Sequence, residues 1–204
     1  LFSDVDSKNI YLCPYGTNKL IAHDAEKKAS SALKIVYVGN ITAMKGIYYL
    51  LEALKNFEPS KVKLTLVGNY DNSDGIFDKY MEQNQFLGLL TPDKLATIYS
   101  NCDVMVFPSL GDSFGQVVLE AMHFGIPVIC STNAGAVDII KDHYNGFIVP
   151  PGDTQAIQEK IQWFLDHKEK MSLMRKNAYH TAEKYSWQEY EKKVVCAMEE
   201  ILSI

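Results

Sequence analysis

Asp103–Cys130 reads DVMVFPSLGDSFGQVVLEAMHFGIPVIC. Its ends, Asp103–Phe107 and Pro127–Cys130, are short runs rich in β-branched or large apolar residues. Between them a loop carries Gly111 and Gly115. A helix then runs to about Phe124 and stops before Gly125-Ile126-Pro127. Nearly continuous apolar strands suit a parallel sheet covered on both faces, so this stretch predicts a strand–helix–strand unit.

The same alternation continues outward. Lys34–Val38 (KIVYV), Lys63–Val67 (KLTLV) and Phe147–Val149 (FIV) read as further strands, the first two followed by the turn residues Gly39-Asn40 and Gly68-Asn69. Residues 45–56 place Ile47, Leu50, Leu51 and Leu54 on one helical face. Residues 92–101 do so with Leu95, Ile98 and Tyr99, Pro92 standing in the first turn and Thr91 as N-cap. The pattern predicts an α/β fold: a doubly wound, Rossmann-like, mostly parallel sheet with helices on both faces. From Asp153 to Ile204 the chain reads almost wholly as helix, a C-terminal extension. Ile157, Ile161, Phe164 and Leu165 form one stripe, and Tyr190, Val194, Ala197, Ile201 and Leu202 another. Ser186 is placed to cap the last helix. Tyr11–Gly16 reads as a strand ending in a turn.

Composition narrows the function. With 204 residues the chain holds one domain, or one domain and an appendage, and 47% hydrophobic residues supply a sizeable core. The net charge of −5 is spread without a basic stripe, which argues against a nucleic-acid partner. No apolar run approaches the roughly 20 residues of a membrane span, and no signal peptide is visible. Cys13, Cys102, Cys130 and Cys196 lack metal-pair or redox-pair spacing and read as buried thiols of a cytoplasmic protein. The five histidines show no ligand spacing, so neither a metal nor another cofactor is expected. The chain begins at Leu1, as a segment of a longer protein would.

In a doubly wound sheet, ligands bind beyond the carboxyl ends of the strands. The helix start after Gly115 offers free N–H groups and a dipole to an anion, and Gly115 permits close backbone approach. Asp112 precedes this helix and Glu120 lies within it, roughly 6–9 Å further along the axis. That spacing suits a diphosphate between two sets of hydroxyls. Asp112 serves equally as a helix cap, and Glu120 as partner of a surface lysine. The Asn133–Asp138 loop either touches such a ligand or starts a helix.

Asp112-Ser-Phe-Gly-Gln-Val-Val-Leu-Glu120-Ala resembles the E-x7-E motif of the family 4 retaining glycosyltransferases. Five further stretches resemble that family in order and spacing. They are Pro14–Asn18, Val38–Gly46, Phe86-Leu-Gly-Leu-Leu with Leu95 and Tyr99, Asn145–Asp153, and Tyr185-Ser-Trp187. The resemblance implies the C-terminal, donor-binding domain of a GT-B enzyme. Residues 1–20 would be the interdomain linker region and first strand, residues 21–185 the nucleotide-sugar-binding domain, and residues 186–204 a crossover helix. The N-terminal acceptor domain, absent from this sequence, would be the partner and the route to any peripheral membrane contact.

By the same resemblance, Glu120 holds the ribose, Asp112 the transferred sugar, and Lys45 the diphosphate. The Ser113, Phe114, Gly115 and Gln116 backbone approaches the donor. Gly39 and Asn40 border it, and Leu87, Gly88 and Leu89 lie beside the base. The expected activity is hexosyl transfer from a nucleoside-diphosphate sugar to a glycan or lipid-linked glycan, as in polysaccharide biosynthesis, the isolated half being inactive. Two positions depart from the family: Asn40 stands where it has Arg, and Asp112 where it has Glu. These departures favour the alternative of a nucleotide-binding module without turnover. An epimerase on the same fold is a further alternative, against which the E-x7-E-like run argues. A dinucleotide oxidoreductase is disfavoured, since no G-x-G-x-x-G follows the first strand.

Overall fold

The computed structural model describes residues 11, 13–17, 31–70, 80 and 84–202. Its centre is a six-stranded, wholly parallel sheet of order β3-β2-β1-β4-β5-β6. The strands are β1 (Leu33–Val38), β2 (Val62–Val67), β3 (Gln85–Phe86), β4 (Val104–Phe107), β5 (Val128–Ser131) and β6 (Gly146–Val149). The helices are α1 (Ile47–Leu54), α2 (Pro92–Asn101), α3 (Gln116–His123), α4 (Thr154–Asp166), α5 (Lys168–Ala182) and α6 (Trp187–Leu202).

Strands β1, β4, β5 and β6 form because their side chains are buried on both faces, whereas β2 exposes Lys63 and the edge strand β3 is exposed. Alternation along β1 sends Ile35 and Tyr37 to one side and Val36 and Val38 to the other. On the first side they meet Ile47, Leu50 and Leu51 of α1 and Ile157, Ile161 and Phe164 of α4. On the second they meet Tyr99 of α2, Val118, Leu119 and Met122 of α3, and Ala178 and Ala182 of α5. The expected doubly wound α/β sheet with helices on both faces is therefore what the chain forms.

Local details differ from the expectations. The helix predicted from residue 45 begins at Ile47; Ala43–Lys45 is a separate 3-10 turn. Gly46, left-handed at φ 68°, breaks the two apart. Thr91 is the N-cap of α2, as expected, but its side chain makes no capping hydrogen bond. Ser186 does cap α6, its Oγ accepting from Glu189 N at 3.2 Å, and Asp153 caps α4 through Ala156 N at 2.8 Å. Residues 13–16 belong to no strand, and Thr17 makes a single parallel bridge to Ser186. Residues 1–10, 12 and 18–20 of the expected linker region, and residues 21–30 of the expected domain, lie outside the described residues. Cys102 and Cys130 are buried thiols, whereas Cys196, on the outer face of α6, is exposed. The stripe expected on the last helix is half-buried at Tyr190, Val194 and Ala197 and exposed at Ile201 and Leu202.

Candidate functional site

Strand order reverses between β1 and β4, where α1 and α3 leave to opposite faces. The carboxyl ends of these two strands therefore bound a crevice. Its floor is made of backbone packed on backbone. A Cβ on Gly46 would lie 1.9 Å from the Pro108 carbonyl oxygen, and one on Gly68 1.9 Å from that of Gly39. Leu110 N donates to Met44 O at 2.9 Å, which ties the loop after β4 to the loop after β1. On its other side the same loop is held by the segment after β5. Ser131 Oγ donates to Ser109 O at 2.5 Å, Asp112 N to Asn133 O at 3.1 Å, and Gly135 N to Asp112 O at 3.0 Å. The Asn133–Asp138 segment does start a helix, a 3-10 one at Gly135–Ile139, and also braces the loop.

A cavity of about 350 Å³ opens over this floor. Of the expected site residues, the structure brings Gly39, Lys45, Asp112, Ser113, Phe114, Gly115 and Gln116 to its lining. Across a separation of 67 residues, Lys45 Nζ meets Asp112 Oδ2 at 2.5 Å, with 30% and 14% of the two side chains exposed. Asp112 does not cap α3. Its Oδ1 accepts from Phe114 N at 3.3 Å, which folds the loop before the helix. The N-cap of α3 is Gly115, at φ 87°, where a Cβ would come within 2.8 Å of the Phe107 ring. Among the described residues, no backbone acceptor takes the N–H groups of Gly115, Gln116 or Val117. These donors, Lys45 and the dipole of α3 are the features of the crevice suited to an anion.

Burial, and secondarily the Asp112 charge, pushes the Cys130 thiol up to about 12 and raises the Tyr37 hydroxyl well above its usual range. Tyr37 stays protonated and donates to Asn40 O at 2.7 Å, fixing the turn after β1.

The other expected residues lie outside the cavity lining. Glu120, the fifth residue of α3, pairs with the Tyr99 hydroxyl at 3.2 Å rather than with a surface lysine. Burial raises its carboxyl above the usual carboxylate range, and the Tyr99 hydrogen bond draws it partly back. Asn40 is exposed. Leu87, Gly88 and Leu89 follow β3, next to the end of β2. Gly88 O accepts from Gly68 N at 2.9 Å, and Leu89 is 76% exposed. The lining also holds Val38, Phe107, Val117 and Tyr15, which sequence reasoning did not single out. Tyr15 stands inside the Pro14–Asn18 stretch, yet nothing in the spacing there points to a cavity on the far side of the sequence.

Among the described residues no cluster of three or more His, Cys, Asp or Glu is placed to hold a metal, and no helix is long and apolar enough to cross a membrane.

Residues 18–181 match the family described as glycosyl transferases group 1, and the chain belongs to it. A glycosyltransferase of Methanocaldococcus jannaschii is 35% identical over 168 residues, covering 79% of this chain and 43% of that protein. Among solved structures, sucrose-phosphate synthase of Thermosynechococcus elongatus superposes with a TM-score of 0.82 at 27% identity, over 94% of this chain and 52% of that one. The Anabaena protein HepE, solved with UDP-glucose, has the same fold with a TM-score of 0.70 at 22% identity, over 85% of this chain and 49% of that one. The chain spans less than half the length of the curated relatives it matches first.

Proposed function

We propose that this chain is the donor-binding half of a retaining glycosyltransferase, the acceptor half lying outside these 204 residues. The observation that carries the reading is the pairing of Lys45 with Asp112 beside the N–H groups at the start of α3, which no backbone acceptor takes among the described residues. A cation and a helix start face one crevice, with a carboxylate at its edge. That is the chemistry needed by a diphosphate bearing a sugar. The UDP-glucose in the HepE structure supports the assignment of ligand class, and the fraction of each relative that is covered supports the assignment as a half.

In this reading Lys45 leaves Asp112 when the donor enters and turns to the phosphates. As the bond between the sugar carbon and the phosphate oxygen breaks, the diphosphate gains charge. Lys45 and the α3 N–H groups stabilise that charge without a divalent metal. Asp112, released, accepts from the sugar hydroxyls, and the acceptor's hydroxyl replaces the diphosphate on the sugar. Glu120, one turn into α3, accepts from the ribose hydroxyls, and Leu87–Leu89 lies beside the base. A second reading has support in the same pair. With Asn40 in place of a cation and Lys45 engaged by Asp112, the chain is a module that binds nucleotide without turnover.

Calorimetry with UDP, GDP and ADP, without added metal, tests the binding step. Lys45→Ala loses a charge-assisted contact worth about 1.5–3 kcal/mol, or roughly tenfold to 150-fold in affinity for the diphosphate. Asp112→Asn leaves diphosphate affinity equal or tighter, because Lys45 no longer has a competing anion, and weakens binding of the sugar nucleotide. No heat from any of the three nucleotides at millimolar concentration, or an absolute need for magnesium, rejects the site. Transfer from a radiolabelled donor by the two-domain protein separates the transferase from the non-turnover module.

A further inference from the structure

Four aromatic rings from three separate segments meet at one lip of the cavity. Tyr15 stacks on Tyr190 with ring centroids 5.8 Å apart and planes at 30°. Its edge meets Phe114 at 5.6 Å and Trp187 at 6.3 Å. Trp187 and Tyr190 are themselves 5.5 Å apart. Phe114 belongs to the loop that presents Asp112, whereas Trp187 and Tyr190 open α6.

The position of Tyr15 is imposed by its backbone. Thr17 N donates to Tyr185 O at 3.0 Å. Gly16 lies so close to α6 that a Cβ there would come within 2.3 Å of Trp187 N. Pro14 restricts the chain on the other side. These contacts fix the backbone from which the ring projects, and the Tyr15 side chain is 49% exposed and lines the cavity. An aromatic face held open beside a carboxylate and free N–H donors matches the surface of a pyranose, which has an apolar C–H face and a hydroxyl rim.

We infer that Tyr15 is a specificity-determining residue of the donor site, its ring packing against the apolar face of the transferred sugar while Asp112 accepts from the hydroxyls. The inference rests on the donor-site reading and assigns to that site a wall supplied by the segment before the sheet. The ring is sensitive to the sugar and indifferent to the nucleotide, because Lys45, the N–H groups at the start of α3 and Glu120, which take the phosphates and the ribose, all lie on other segments.

The experiment is calorimetry on the full chain with UDP-, GDP- and ADP-glucose and the matching free diphosphates. Tyr15→Ala is expected to weaken the preferred sugar nucleotide about five- to tenfold, the scale of losing half an aromatic ring's burial, and to leave the free diphosphate within about twofold. Tyr15→Phe keeps the ring and stays within about twofold of wild type for both ligands. Should Tyr15→Ala fail to fold, Tyr15→Leu carries the same reading, since it keeps apolar bulk and loses the flat face. Equal weakening of both ligands, no weakening of either, or a loss in Tyr15→Phe as large as in Tyr15→Ala overturns the assignment of Tyr15 and leaves the donor site standing. Wild-type protein that binds none of the sugar nucleotides overturns the donor-site reading, and the assignment with it.

Discussion

Helices α3 and α6 are both amphipathic, and they end very differently. The eight residues of α3 bury Val118, Leu119, Ala121 and Met122 against the sheet. The sixteen residues of α6 bury none. Val195, Met198, Ile201 and Leu202 of α6 are 52%, 59%, 55% and 85% exposed. A helical apolar stripe announces that a face needs cover; what covers it depends on the elements present. For α3 the cover is the sheet. For α6, Tyr15 packs on Trp187 and Tyr190 at its start, no element among the described residues covers Val195, Met198, Ile201 or Leu202, and in the proposed two-domain enzyme the acceptor half does.

The largest expected effect tests the α3 side of this contrast. Leu119→Ala removes a fully buried side chain and is expected to cost about 2–5 kcal/mol in denaturant unfolding. Ile201→Ala, on the exposed face of α6, is expected to stay within about 0.5 kcal/mol of wild type. Similar losses in the two variants would mean that the α6 face is covered in solution, and the contrast would collapse.

The next effect is on binding. Glu120→Gln is expected to weaken nucleoside diphosphates by roughly tenfold or more through loss of a charge-assisted hydrogen bond, while stabilising the fold at neutral pH. The sign follows from burial. The folded carboxyl titrates above its ordinary value of 4.5, so the folded state holds a proton that the unfolded chain has already released. Stability therefore falls as pH rises from the ordinary value through the raised one, and the full cost persists above it. Thermal melts of wild type and Glu120→Gln should coincide near pH 4 and separate above that window, the variant melting higher. A variant that melts lower at pH 7 would make Glu120 a structural residue of α3.

The smallest effect is on association. Met198→Glu places a charge on the exposed face of α6. It should leave the melting temperature unchanged and lower the self-association expected of this exposed apolar face at high concentration, with sedimentation velocity as the measurement. Equal sedimentation of wild type and variant as monomers would show that the face has no affinity for a second copy.

Legibility in the sequence followed burial and locality. The cores of β1, β4, β5 and β6 were readable because both faces are covered and nearly every residue is apolar, and β2 was readable from Leu64, Leu66 and Val67 despite the exposed Lys63. β3 consists of Gln85 and Phe86, both exposed, so neither periodicity nor hydrophobicity marks it; only the resemblance around Phe86-Leu87-Gly88 pointed there. The α3 loop was readable from Gly111, Gly115 and the spacing of Asp112 and Glu120, all within one short segment. The contact between Lys45 and Asp112 spans 67 residues, and the approach of Tyr15 to Phe114 spans a longer stretch still. Topology creates both, and no local pattern contains them. The start of α1 was misjudged for a similar reason. The left-handed turn at Gly46 answers to the Pro108 carbonyl, which the sequence around Gly46 does not reveal.

The backbone-on-backbone floor of the crevice has an evolutionary consequence. Gly46 and Gly68 admit no side chain, because Pro108 O and Gly39 O already occupy the space. Selection on these positions is therefore steric and independent of the ligand. Asn40 is exposed, so it can change without moving the loop that presents it, whereas Asp112 holds its own loop through Phe114 N. A lineage on this frame can change the charge at position 40 by a single substitution and keep its geometry.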